Sequence, residues 1–313
     1  MNFISCFETS PVLLMEGALG ERLKREYNLL SDENVGLADI IYRDGGKEAL
    51  HTLWTQYLDI AVKYNLPFLA ATPTRRANKE RVFKAGYDED IVFDNVSFLK
   101  KLKNTTAAEM FIGGLMGCKG DAYKATGILQ SDEAQEFHFW QADLFRQAGV
   151  DYLYAGIMPA VSEAIGMAGA MEQTALPYII SLMILENGKL PDGTTIHDAI
   201  LQIDQCVGRK PICYMTNCVH PDILYKALCY DFNQTSLVRQ RFHGIQANTS
   251  ALPPEKLDNS IELKYSDDKE LGQSIRRLAG IISLKIVGGC CGTDNTHINQ
   301  IARIMCSVND IIL

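Results

Sequence analysis

The stretch Ile286-Val287-Gly288-Gly289-Cys290-Cys291-Gly292-Thr293 is an apolar, strand-like run that ends in two adjacent thiols set between glycines. It closes a series. Apolar runs of strand length recur at residues 12–15, 67–71, 110–115, 152–157, 178–183, 211–216, 242–247 and 283–287. The segments between them turn helical. From Glu48 to Leu58 apolar residues recur every three or four positions, and Ser131-Asp132-Glu133 opens a helix with a capping residue and an acidic first turn. Strands alternating with helices pair in parallel as βαβ units. Eight of them predict a closed (β/α)8 barrel, one domain over residues 1–313, rather than an open doubly wound sheet. The glycine pattern of a dinucleotide fold is also missing, because Gly113-Gly114-Leu115-Met116-Gly117 lacks its spacing.

Length and composition agree with that reading. The 313 residues suit a barrel of about 250 residues plus insertions, and 47% hydrophobic content fills a large core. A net charge of −8 argues against a nucleic-acid partner, whose phosphates need a basic surface. Lys100-Lys101-Leu102-Lys103 reads as a solvated helix face. No apolar run approaches the ~20 residues of a membrane span, and no signal peptide is read at the amino end. Nine cysteines, an odd number, point to a reduced compartment, with the cytoplasm as the expectation.

The thiols fall where a barrel does its chemistry, at the carboxyl ends of its strands. Cys218 follows the sixth run, and Cys290 and Cys291 follow the eighth. Those strands are near neighbours around the ring, so their loops can converge on one ion. Soft thiolates select zinc among the abundant divalent metals, and three of them leave one tetrahedral position open. A substrate thiol entering that position loses its proton and remains a nucleophile. The expectation is one zinc ion per chain on Cys218, Cys290 and Cys291. A vicinal Cys290–Cys291 disulfide is the competing use, and it leaves Cys218 unexplained. The remaining cysteines read as small buried hydrophobes.

Other residues take positions around this centre. Glu16 ends the first run and either faces the site as a catalytic carboxylate or caps a helix over 19–27; its strand-end placement favours the site. Arg75 and Arg76 follow the second run and either bind a carboxylate or phosphate in the pocket or form surface ion pairs. Tyr42, Trp54, Tyr57 and Trp140 are candidates to cage a cationic donor, although Trp54 and Tyr57 share a helical face and read as core. His220 and His297 read as a loop residue and a first-turn helix residue.

Asn217-Cys218 after a strand, then Gly288 to Thr293 before a terminal helix, resembles the homocysteine S-methyltransferase family. Glu16-Gly17-Ala18-Leu19-Gly20-Glu21-Arg22-Leu23, Met158-Pro159-Ala160-Val161-Ser162-Glu163-Ala164 and Asp192-Gly193-Thr194 extend the likeness over nearly the whole chain. The resemblance implies zinc-dependent methyl transfer to the thiol of homocysteine or a related small thiol. Gly17, Thr72, Gly156 and Asn217 stand at the substrate-binding positions it suggests, and Arg75 joins them from its place after the second run. It leaves the donor among sulfonium, betaine-like and corrinoid-bound methyl groups. A corrinoid donor would be a separate protein, because the chain has no Asp-x-His-x-x-Gly motif. Alternatives are a subunit serving such a protein, or a zinc-binding barrel without catalysis; a homo-oligomer stays open. The chain departs from the family at Gly156-Ile157, where Glu-Thr is usual and the glutamate is implied to hold the homocysteine amino group. Thr72-Pro73-Thr74-Arg75 and Gln246-Ala247-Asn248-Thr249 replace Thr-Asn-Thr-Phe and Pro-Asn elements. A retained thiol centre with an altered pocket implies a different acceptor or donor.

Overall fold

The computed structural model describes residues 1–251 and 267–309. Its eight strands are β1 (Leu13–Met15), β2 (Phe68–Ala71), β3 (Met110–Met116), β4 (Tyr152–Met158), β5 (Tyr178–Leu182), β6 (Cys213–Val219), β7 (Phe242–Ala247) and β8 (Ile286–Gly289). They run parallel and close in chain order into a barrel, with β8 returning to β1 through Leu13 paired with Ile286 and Leu14 with Val287. Every expected run carries a strand. Two lie further along the chain than expected: β6 continues to Val219 and β8 to Gly289, which brings the ladder up to the thiols.

Side chains alternate across each strand with period two. Leu13 and Met15 point inward with Leu69, Phe111, Tyr154 and Met215, while Leu14, Phe68, Ile112 and Val287 face the surrounding helices. The amino-terminal helix Phe3–Thr9, capped by Asn2 accepting from the Ser5 N–H, closes the base of the barrel. Its Phe3 ring stacks on Tyr152 with centroids 4.5 Å apart, and Cys6 joins the same inner cluster. Access therefore lies at the opposite end.

The helices form where the apolar spacing places them. Gly46–Tyr64 buries Ala49, Leu50, Leu53, Trp54, Tyr57, Leu58 and Ala61 and stops at Asn65, whose φ of 52° is left-handed. Trp54 and Tyr57 are fully buried, so their use is packing, and each large apolar side chain so buried contributes about 1.5–3 kcal/mol. Ser131 is the first helical residue of Ser131–Ala148 rather than its cap, and its hydroxyl bonds the Ser162 carbonyl instead. The lysines at the end of Asp90–Lys103 suit the negative pole of that helix, with Leu102 turned inward. Among the described residues, no helix is long and apolar enough to cross a membrane.

Candidate metal centre and active site

Cys218 lies within β6, not after it. The β6–β7 register slips between Asn217 and Val219, and Cys218 adopts a φ of 59°. A bulge bends the strand and re-aims the side chain it carries, and such features gather beside active sites. A non-glycine residue in that region is uncommon, because its Cβ crowds the backbone. Cys290 and Cys291 follow β8 in a turn closed by Thr293, whose hydroxyl donates to the Cys290 carbonyl at 2.7 Å. Gly292 carries the turn at φ 81°, where a Cβ would also collide with Thr249.

The three sulfurs come together. The Sγ atoms of Cys218, Cys290 and Cys291 all lie within 4.8 Å of one another, and all three residues are half-buried. Cys218 and Cys290 are in bonding contact as a disulfide across a separation of 72 residues, a different pairing from the vicinal one weighed on sequence grounds. Cys291 is free, and burial pushes its thiol up to about 12, with Glu21 acting in the same direction.

Backbone hydrogen bonds tie this turn to its neighbours. Gly289 N–H donates to the Glu16 carbonyl at 2.9 Å, and Ala18 N–H donates to Thr293 Oγ1 at 3.0 Å, so the end of β1 is fastened to the thiol turn. Asn248, just past β7, spans both thiol segments. Its Nδ2 donates to the Cys218 carbonyl at 2.9 Å and its Oδ1 accepts the Cys291 N–H at 3.1 Å. Glu21 accepts the Gly292 N–H at 2.5 Å.

A cavity of about 370 Å³ opens beside the sulfurs, within the usual range of small-molecule sites. Cys218, Cys290 and Cys291 line it together with Glu16, Gly17, Thr72, Arg75 and Asn217, so most of the positions singled out from sequence converge there. Glu16 is 6% exposed and faces the Ala71 N–H at 3.4 Å, so it lines the cavity and does not cap the helix Gly20–Tyr27. Burial pushes its carboxyl up to about 8, opposed by hydrogen bonds that include Gln246. Gly17 sits against Tyr57, leaving no room for a side chain. The Thr72 hydroxyl is already engaged, accepting from Leu115 N–H at 3.0 Å and pairing with Thr74 Oγ1 at 2.7 Å. Asn217 Oδ1 accepts from Ser181 Oγ at 2.5 Å.

Gly156 stands one residue behind the lining, at a slip in the β4–β5 register, and its neighbour Ile157 faces the cavity. A Cβ at 156 would point towards Leu115, Tyr154 and Asn217. Glu163 lies elsewhere, fully buried against His138 at 2.9 Å and accepting the Lys119 N–H at 2.7 Å. Tyr42 and Trp140 point outward to Asp94 and Glu89 and cage nothing. Tyr123 is the aromatic residue among the described cavity lining. Tyr123 was not singled out from sequence; Asn248 was quoted there only within the element that replaces a Pro-Asn pattern, with no role attached.

The donor set fits a soft metal. Three sulfurs around a tetrahedral zinc at about 2.3 Å stand ~3.8 Å from one another. That spacing falls inside the 4.8 Å spread of these three on the cavity wall; with Cys218 and Cys290 joined as in this structure, they would hold an ion only after reduction.

No curated protein sequence matches the chain significantly. Among solved structures, the metallated form of the homocysteine methyltransferase MmuM from Escherichia coli superposes with a TM-score of 0.75 at 17% identity, over 96% of this chain and 98% of that one. The oxidised form of the same protein gives 0.74 at 18%, over 95% and 97%, and its apo form 0.68 at 16%, over 95% and 97%. At such identities these likenesses speak to the barrel. The homocysteine S-methyltransferase family model matches residues 13–305, from β1 into the last helix and through all three cysteines. The chain therefore belongs to the homocysteine S-methyltransferase family and is an S-methyltransferase.

Proposed function

We propose that the protein is a zinc-dependent S-methyltransferase that methylates homocysteine or a related small thiol, with Cys218, Cys290 and Cys291 as the zinc ligands. The observation that carries this reading is the gathering of three sulfurs within 4.8 Å at the carboxyl ends of β6 and β8, on the wall of a small-molecule cavity. When bound, zinc supplies the positive charge that lowers the pKa of an acceptor thiol from about 8.5 and keeps its sulfur nucleophilic.

The chain's own residues do the rest. Asn248 holds the two ligand-bearing segments at fixed separation, as outer partners of metal ligands do. Glu16, its carboxyl pushed up to about 8 by burial, holds its proton at neutral pH and faces the cavity as a hydrogen-bond donor, so the acceptor's thiol proton passes to solvent. The walls exclude water and align the acceptor sulfur with a methyl on a sulfonium, betaine-like or corrinoid-bound donor. The methyl then joins the sulfur while its old bond electrons stay with the donor. Thiol ligands of this kind suit a reducing compartment such as the cytoplasm.

Incubating the reduced, zinc-loaded protein with thiols and S-methylmethionine, S-adenosylmethionine, betaine or methylcobalamin tests the proposal. A methyl thioether should appear by mass spectrometry with at least one donor and not with the zinc-free protein. Equal turnover without metal would overturn the zinc assignment.

A further inference from the structure

We infer that the acceptor is an anionic thiol without an ammonium group, its oxyanion held by Arg75. The inference rests on the three-cysteine centre seating the acceptor sulfur, and it narrows the class of thiol.

Arg75 lines the same cavity as the cysteines and makes no hydrogen bond or ion pair with any other described residue. Its position is built. Its stem crosses Gly117, where a Cβ would stand 2.8 Å from Arg75 Cγ and 2.6 Å from its carbonyl oxygen. The neighbouring arginines are committed: Arg76 donates to the Glu33 carbonyl at 2.7 Å, and Arg81 to the Lys119 carbonyl at 3.2 Å. Arg75 thus presents an unused planar fork, half-buried, to a ligand-sized space. Such a fork matches a carboxylate or another oxyanion by paired hydrogen bonds.

An ammonium finds no comparable partner. Gly156 puts no carboxylate on β4, and the polar atom nearest that point, Asn217 Oδ1, already accepts from Ser181. Of the lining carboxylates, Glu21 is exposed, where water and salt screen its charge, and one of its oxygens already accepts the Gly292 N–H of the thiol turn. Glu16 remains, and burial favours its uncharged form, which attracts a cation poorly. Charge complementarity at the cavity therefore runs towards anions.

The test uses the reduced full-length protein loaded with cobalt(II), whose absorption reports a sulfur entering its shell. It is titrated with homocysteine, 4-mercaptobutanoate (the same chain without the ammonium), uncharged 4-mercaptobutan-1-ol and 3-mercaptopropanesulfonate. The acid should bind at least as tightly as homocysteine and roughly ten- to hundredfold more tightly than the alcohol. Arg75→Ala should erase the preference for acid over alcohol while metal content holds, and Arg75→Lys should keep part of it. The sulfonate arm separates a general oxyanion site from a carboxylate site, and tight binding of the acid supports the inference in either case. Homocysteine binding tenfold or more above 4-mercaptobutanoate, or an unchanged acid-to-alcohol ratio in Arg75→Ala, overturns it. If all four thiols shift the spectrum alike, the metal-centre reading stands and this inference alone falls. If none does, both fall together.

Discussion

The side-chain amide of Asn248 donates to the carbonyl of Cys218 at 2.9 Å, gripping a residue held in the left-handed region. Its oxygen simultaneously takes the Cys291 N–H, so one amide sets the distance between segments from opposite sides of β7. Asn248→Ala should lower zinc affinity by roughly 10–100-fold, the usual cost of losing an outer partner. Competition against a chelator of known affinity measures this, with circular dichroism as a control for folding. An unchanged affinity would remove Asn248 from the centre.

Cys290→Ala should abolish stoichiometric zinc, since two remaining thiolates cannot close the site. Because Cys291 is protonated up to a pKa of about 12 without metal, loading zinc at pH 7 should release protons to the buffer. Titration calorimetry in buffers of different ionisation enthalpy counts them. A protein that takes up zinc without proton release does not bind it through these thiols.

Glu16 makes a pH-dependent prediction. Its folded pKa of about 8 lies above the unfolded value of about 4.3. Between those values the folded state keeps a proton that the unfolded state has lost, so stability falls as pH rises through the window. The slope is at most about 1.4 kcal/mol per pH unit. Glu16→Gln lacks that slope. Urea denaturation of the reduced, metal-free proteins from pH 5 to 8 should show the variant gaining on the parent throughout, and a constant difference would contradict the assignment.

Gly156→Glu should restore a partner for an ammonium and tighten homocysteine binding by roughly ten- to hundredfold. A Cβ there would meet Leu115 Cδ1, a movable tip, at 3.1 Å, Tyr154 Cζ at 3.4 Å and Asn217 Oδ1 at 3.5 Å. Isothermal titration with homocysteine reads the change. Weaker or equal binding would mean that the carboxylate fails to reach the acceptor.

Much of this architecture was legible in the residues. Apolar runs at βα spacing located every strand, and the three cysteines stood at strand ends where a barrel gathers its chemistry. What periodicity could not express was backbone geometry. Cys218 reads as a loop residue because the pattern of β6 fades after Thr216, yet the strand continues through it by way of a bulge and a positive φ. Asn248 was equally hidden. Its amide bridges two segments remote in sequence, so its place just past the seventh run marked the position but not the bridging role. Gly156 was the opposite case: a missing side chain, visible in sequence, whose neighbours only the fold could supply.

The helix Phe3–Thr9 has a kinetic consequence. With Phe3 stacked on Tyr152 beneath the barrel, that end is closed among the described residues, and both reactants enter and leave by the cavity end. Whichever molecule reaches the sulfurs first is sealed behind the second. Under the proposed function, an acceptor seated on the cysteines should arrive before its donor, and its methylated product should wait for the spent donor to leave. Ordered addition, with the methylated thioether inhibiting competitively against the acceptor and the donor's remnant giving mixed inhibition against both substrates, is the expected steady-state signature of such a one-mouthed barrel.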